Sequence, residues 1–258
     1  MLSDAKRIVI KVGTTTLTYE NGKLNIGLIE KLVRVLSDIK NSGKDVILVS
    51  SGAIAVGVSK LRLTERPKDL PGKQAAAAVG QCALMHLYDT LFSEYGYHVS
   101  QVLLTRDSVE QKRKDYIVNT FEKLLSLGSI PIVNENDTVS VEEIEFGDND
   151  ALSAIVAEIT QADLLIILSD IDGLYDKDPK TNAGAQLIHE VNEIDGSMWQ
   201  GAGPSRSTHG TGGMTTKLAA AKAMLENGKI AAIINGNNPK NILAVLNNKP
   251  CGTVFIKK

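Results

Sequence analysis

Short, β-branched apolar runs alternate along this chain with longer stretches in which apolar residues recur every three or four positions. "RIVIKV" (7–12) and "DVILVS" (45–50) are runs of the first kind, the pattern of strands buried on both faces of a parallel sheet. Between them Ile29, Leu32, Val33, Leu36 and Ile39 mark one face of an amphipathic helix, and Asn41, Ser42 and Gly43 supply its stop. The alternation continues with a helix over 73–95, a strand over 98–104, a helix over 108–127 and a strand over 129–134. "TVSVEEIEF" (138–146) alternates with period two and reads as an exposed hairpin, followed by a helix over 149–160 and a buried strand over 162–170. The last third predicts a helix over 214–226 closed by Asn227 and Gly228, a strand over 229–235, a helix near 239–247 and a final strand in "GTVFIK" (252–257). Repeated β-α order predicts an α/β fold, a three-layer αβα sandwich around a mostly parallel twisted sheet. No internal repeat or Pro/Ser-rich linker interrupts it, so residues 1–258 are expected to form a single domain.

Composition narrows the classes of function. A chain of 258 residues that is 43% hydrophobic can bury a full core. Its 28 basic and 30 acidic residues leave a net charge of -2 with no long basic run, which gives a nucleic-acid or membrane-surface partner no electrostatic support. No stretch approaches the roughly 18 apolar residues of a membrane span, and the expected location is the cytoplasm. Two cysteines, Cys82 and Cys251, and four scattered histidines do not make a disulfide framework or a zinc site.

In open α/β sheets ligands gather beyond the carboxyl ends of the strands. There this sequence places Lys11 with "GTTT", then Ser50, Ser51 and Gly52, then Asn134 to Asp137, then Ser169 and Asp170. Each has a plain alternative. A strand-end lysine such as Lys11 is commonly solvated, "SSG" is equally a tight turn with a serine helix cap, and Asp148, Asn149 and Asp150 could simply cap the next helix. As functional groups, Asn149 would offer amide contacts to a polar ligand and Asp150 a carboxylate to hold lysines. "HGTGGMTTK" (209–217) is not a nucleotide P-loop, because Thr216 precedes Lys217 and Leu218 follows it. It is either a glycine-rich connector or a loop of bare N–H groups for an anion, with Lys217 in the first turn of the helix.

Taken together and in order, "KVGTTTLT", "VSSGAIAVG", "AVGQCALM", "QVLLTRDS", "NENDTVS", "GDNDALSA", "SDIDGLYDKDP" and "GTGGMTTK" resemble the amino acid kinase family, and within it the glutamate 5-kinase branch. The resemblance runs from about Lys6 to the C-terminus. It implies a substrate-binding lobe over about 1–160 and a nucleotide-binding lobe over about 161–258. It further implies that Lys11, Asp150 and Lys217 are catalytic, with Lys11 and Lys217 on the phosphates and Asp150 organising both. Ser51, Asp137 and Asn149 would bind the amino acid. Ser169, Asp170, Thr211, Gly212, Gly213, Met214, Thr215, Thr216 and Lys217 would line the nucleotide. The implied reaction transfers phosphate from ATP, with Mg²⁺ on the phosphates and no separate protein metal site, to the side-chain carboxylate of L-glutamate at the start of proline synthesis. Proline as an inhibitor and a homo-oligomer, dimer or tetramer, are implied too, with the Ala- and Leu-rich helix over 73–92 available to pack subunits. The PUA domain that many such kinases carry is expected to be absent. Two other readings stay open at this point: a sensor that keeps the pocket without phosphoryl transfer, and a kinase acting on N-acetylglutamate, aspartate or carbamate.

Overall fold

The computed structural model describes residues 2–19, 21–105, 111–139, 149–179, 181–201 and 213–257, with side chains left out at 111–113. The first strand, β1 (Arg7–Val12), is followed by a one-turn helix α1 (Thr14–Leu17), the long helix α2 (Ile26–Asn41) and β2 (Asp45–Ser50). Next come α3 (Ala53–Lys60), α4 (Leu70–Ser93), β3 (Val99–Leu104), α5 (Gln111–Ser126), β4 (Ile130–Glu135), α6 (Asn149–Ile159) and β5 (Leu164–Ser169). The remaining elements are β6 (Glu190–Val191), α7 (Gly196–Gly201), α8 (Met214–Glu226), β7 (Ile230–Asn235), α9 (Lys240–Leu246) and β8 (Thr253–Phe255). The periodic segments thus become the expected strands and helices to within a few residues at each end. Three short elements, α1, β6 and α7, have no periodic signal because none is long enough to repeat one. Most of the expected hairpin over 138–146 falls outside the described residues.

The described strands form one sheet in the order β3-β4-β2-β1-β5-β7-β8-β6. From β3 to β7 every pair is parallel, and β8 runs antiparallel to β7. The chain leaves β1 toward β2 and later returns to its other side at β5. β1 is therefore the switch point of the sheet, where the crevice at the strand ends opens.

Strand alternation sorts the core into two halves, because successive side chains point to opposite faces. Ile8, Ile10 and Val12 face α2, α3, α4 and α9, together with Leu48, Ile132 and Leu168. Val9 faces α5, α6 and α8 with Val49, Val133 and Ile167. By the same count Lys11 belongs to the α6/α8 side, whereas Ser50 and Asn134 belong to the α3/α4 side. Helices α3 and α4 meet backbone to backbone at two glycines. A Cβ on Gly57 would lie 1.7 Å from the Ala76 carbonyl oxygen, and one on Gly80 1.8 Å from that of Ala53. Only a residue without a side chain permits this approach.

Candidate active site

Lys11 is 2% exposed, so it is not a solvated strand end. As the penultimate residue of β1 it is turned by the strand period into the α6/α8 face, and its Nζ stands 2.7 Å from Asp150 Oδ1. Asp150 is the second residue of α6 and is fully buried. Its other oxygen lies 3.2 Å from Lys217 Nζ and accepts a hydrogen bond from Thr216 Oγ1 at 2.8 Å. Thr216 and Lys217 come from the first turn of α8. Its N-cap, Gly213, makes no side-chain cap, and its carbonyl lies 2.9 Å from Thr216 Oγ1 and 3.5 Å from Lys217 Nζ. One carboxylate therefore gathers groups from two further elements: a lysine from β1, and a lysine and a hydroxyl from α8. A buried carboxylate is costly without such partners, so the two lysines and Asp150 are mutually required.

Adjacent to it lies a neutral network. Asn149 Nδ2 donates to the Ser50 carbonyl at 2.7 Å, to Asn134 Oδ1 at 2.7 Å and, more weakly, to Ser51 Oγ at 3.0 Å. Asn134 Oδ1 also accepts from the Glu135 N–H at 2.9 Å, and Asn134 Nδ2 donates to Gln81 Oε1 at 2.9 Å. The helix after Ser51 is capped by Gly52 at φ +96°, with no side-chain cap, so the alternative of a serine cap gives way to a left-handed glycine turn. That turn leaves the Ser51 hydroxyl in the Asn149 network and, among the described residues, backbone N–H groups at the start of α3 without a side-chain cap. Beneath them Ser50 Oγ and Tyr88 OH are 2.9 Å apart, and burial pushes the Tyr88 phenol up to about 12.

Asp137 occupies the turn after β4 and is half-buried. Burial raises its carboxyl to about 6, against the opposing pull of the Arg66 charge. Ser169 is buried at the end of β5 and Asp170 is exposed beside it. Asp170 lines a shallow cleft of about 230 Å³ with Ile171, Asp172, Tyr175, Pro179 and Asn235. Asn235 Nδ2 and Tyr175 OH both donate to Asp172, at 2.8 and 3.1 Å, which stiffens the wall of that cleft. Gly213, Met214, Thr215 and Thr216 open α8, and Thr211 and Gly212 lie outside the described residues. Among the described residues, no group of three or more His, Cys, Asp or Glu side chains could hold a metal ion.

The model of the amino acid kinase family matches residues 6–235. Glutamate 5-kinase of Clostridium perfringens is 56% identical over 262 residues, covering 100% of this chain and 97% of that protein. The glutamate 5-kinase of Enterococcus faecalis is 52% identical, covering 99% and 96%. The chain belongs to the glutamate 5-kinase branch of the amino acid kinase family. The fold of this amino acid kinase is shared by carbamate kinase from Giardia lamblia, a structure bound to AMP-PNP, with a TM-score of 0.71 at 18% identity over 99% of this chain and 100% of that one. UMP kinase from Bacillus anthracis follows with a TM-score of 0.64 at 14% identity, over 98% and 97%.

Two members of the kinase's polar network are given no role by the sequence motifs. Asn134 is one of several polar residues at the end of β4, and Gln81 is embedded in "AAAAVGQCALM". A clue to Gln81 was available: an amide interrupting a run of small apolar residues on a helix needs a partner if it is turned inward.

Proposed function

We propose that this chain phosphorylates the side-chain carboxylate of L-glutamate from ATP, giving L-glutamyl 5-phosphate as the first step of proline synthesis from glutamate. The observation that carries the reading is the pair of lysines, one from β1 and one from α8, held on a single buried carboxylate at the sheet's switch point.

The nucleophile would be a carboxylate with an ordinary pKa of about 4.3, ionised at neutral pH without help. No side chain has to remove a proton, and a hydroxyl acceptor would need a base that does. The barrier is instead the approach of two anions and the charge that builds on the bridging oxygen as ADP leaves. Lys11 and Lys217 would meet that charge from opposite lobes, while Asp150 keeps the two ammonium groups close despite their repulsion. The N–H groups at the start of α8, with Gly213, Met214, Thr215 and Thr216, and Thr211 and Gly212 before them, would follow the phosphates. Ser169, Asp170 and the adjoining cleft would take the rest of the nucleotide. Mg²⁺ would enter on the ATP phosphates and lower their negative charge. Ser51, Asn149 and Asp137 would hold the amino acid. A hydroxyl donor, an amide and a carboxylate together match a group that carries both an α-carboxylate and an α-ammonium.

The deciding assay supplies ATP, Mg²⁺, L-glutamate and hydroxylamine and reads the hydroxamate trapped from the acyl phosphate. Equal competition with N-acetylglutamate, aspartate and carbamate tests the acceptor. Absence of hydroxamate would leave a binding protein without transfer, and a preference for N-acetylglutamate would overturn the substrate. Inhibition by proline belongs to the same reading and predicts that millimolar proline shifts the glutamate saturation curve; superimposable curves reject it. We also propose a homo-oligomer, dimer or tetramer, in the cytoplasm, to be read from the mass in solution.

A further inference from the structure

We infer that Gln81 is a positioning residue that completes the amide relay holding Asn149 toward the substrate, and so governs glutamate affinity without touching glutamate. The inference rests on the proposed reaction and assigns a role to a residue on the far side of the site.

An asparagine amide has a donating end and an accepting end of nearly the same shape, so only its partners decide its orientation. For Asn134 the partners are unambiguous. Its oxygen takes the Glu135 N–H at 2.9 Å and Asn149 Nδ2 at 2.7 Å, and its nitrogen needs an acceptor, which Gln81 Oε1 provides at 2.9 Å. Turned over, Asn134 would point its NH₂ at two donors. Asn149 is fixed in turn. The two hydrogens on its nitrogen are taken by the Ser50 carbonyl and Asn134 Oδ1, with Ser51 Oγ sharing at 3.0 Å. The Asn149 carbonyl oxygen is then the end left to accept from a ligand. The Ser51 oxygen, already accepting, is left to donate its hydrogen. An acceptor and a donor side by side fit the α-ammonium and α-carboxylate of an amino acid, and the reversed amide would present a second donor to the ammonium.

Gln81 can impose this order because its backbone cannot drift. It follows Gly80, where α4 lies against the Ala53 carbonyl of α3 closely enough that a Cβ would sit 1.8 Å from that oxygen. The same α3 begins immediately after Ser51 and Gly52. Gln81 and the substrate loop are therefore carried on one rigid helix pair, and Asn134 reaches that pair from β4.

Two variants separate positioning from packing. Gln81→Met keeps the length of the side chain and removes the acceptor. Gln81→Glu keeps an acceptor for Asn134 Nδ2. Leaving a polar group unpaired here is expected to raise the KM for glutamate about ten-fold or more in Q81M, with kcat and the KM for ATP within about three-fold. Q81E is expected to stay within about three-fold of wild type in all three constants, and both variants to melt within a few degrees of it. A Q81M enzyme with unchanged glutamate KM overturns the inference. So does a Q81E enzyme impaired as badly as Q81M, since shape and not hydrogen bonding would then be the requirement, and so does a parallel rise in the KM for ATP. A wild type that forms no hydroxamate refutes the reaction itself, an outcome told apart because it precedes any comparison of variants.

Discussion

Replacing Asp150 by asparagine keeps the size of the side chain and removes the negative charge between two lysines. The carboxylate is fully buried and stands 2.7 Å from Lys11 Nζ and 3.2 Å from Lys217 Nζ. At an effective dielectric of about 20 those separations correspond to gross attractions of about 6 and about 5 kcal/mol. Most of this offsets the cost of taking the charges out of water, and breaking such a buried arrangement costs about 3–5 kcal/mol net. An amide cannot recover it. Whichever way the new side chain turns, its NH₂ meets the ammonium group of either Lys11 or Lys217, donor against donor. The D150N protein is expected to melt about 10 °C below wild type by differential scanning calorimetry. Its hydroxamate activity should fall at least about 10²-fold, because the lysines no longer converge where charge develops. Saturating Mg²⁺–ATP should narrow the melting deficit more than glutamate does, since phosphates supply the missing negative charge. A D150N enzyme with activity within about ten-fold of wild type and an unchanged melting temperature would refute the claim that this carboxylate organises the two lysines.

Lys217→Met is expected to lose about 10²-fold in kcat while keeping a wild-type circular dichroism spectrum, because Asp150 retains Lys11 and Thr216; activity within a few-fold of wild type would remove Lys217 from the mechanism. The KM for glutamate should rise about ten-fold between about pH 7 and pH 5, as Asp137, with its carboxyl raised to about 6 by burial, protonates and can no longer pair an ammonium, and D137N should start from a high KM and show no such rise. The sign for stability is opposite. Folding disfavours the ionised form of Asp137, so this group's cost is absent below about pH 4, grows as pH rises to about 6, and should vanish from the pH dependence of urea unfolding in D137N. Gly80→Ala forces a methyl group into the Ala53 carbonyl and should lower stability by about 3 kcal/mol or more, read as a shifted urea midpoint, whereas Gly96→Ala meets nothing within 4 Å and is strained only by its φ of +75°.

The elements, and the places where their chemistry collects, were legible one residue at a time. Runs such as 45–50 and 164–169 are apolar at nearly every interior position because both faces are covered, and that pattern needs no knowledge of what covers them. Ordered motifs at the strand ends were enough to assign the family, since the groups that bind charge must stand where the helices begin. The state of individual side chains was another matter. Lys11 reads as an ordinary solvated lysine until β1 is set between β2 and β5 and its pleat turns position 11 toward α6 and α8. Asp150 reads as a helix cap until Lys217, 67 residues away in the chain, closes on it. Gln81 has no visible partner until α4 is laid against α3 and Asn134 reaches across from β4. The physical reason is range: periodicity and capping act over a few residues and are written locally, whereas a buried charge or amide is satisfied only by groups that the sheet order brings together.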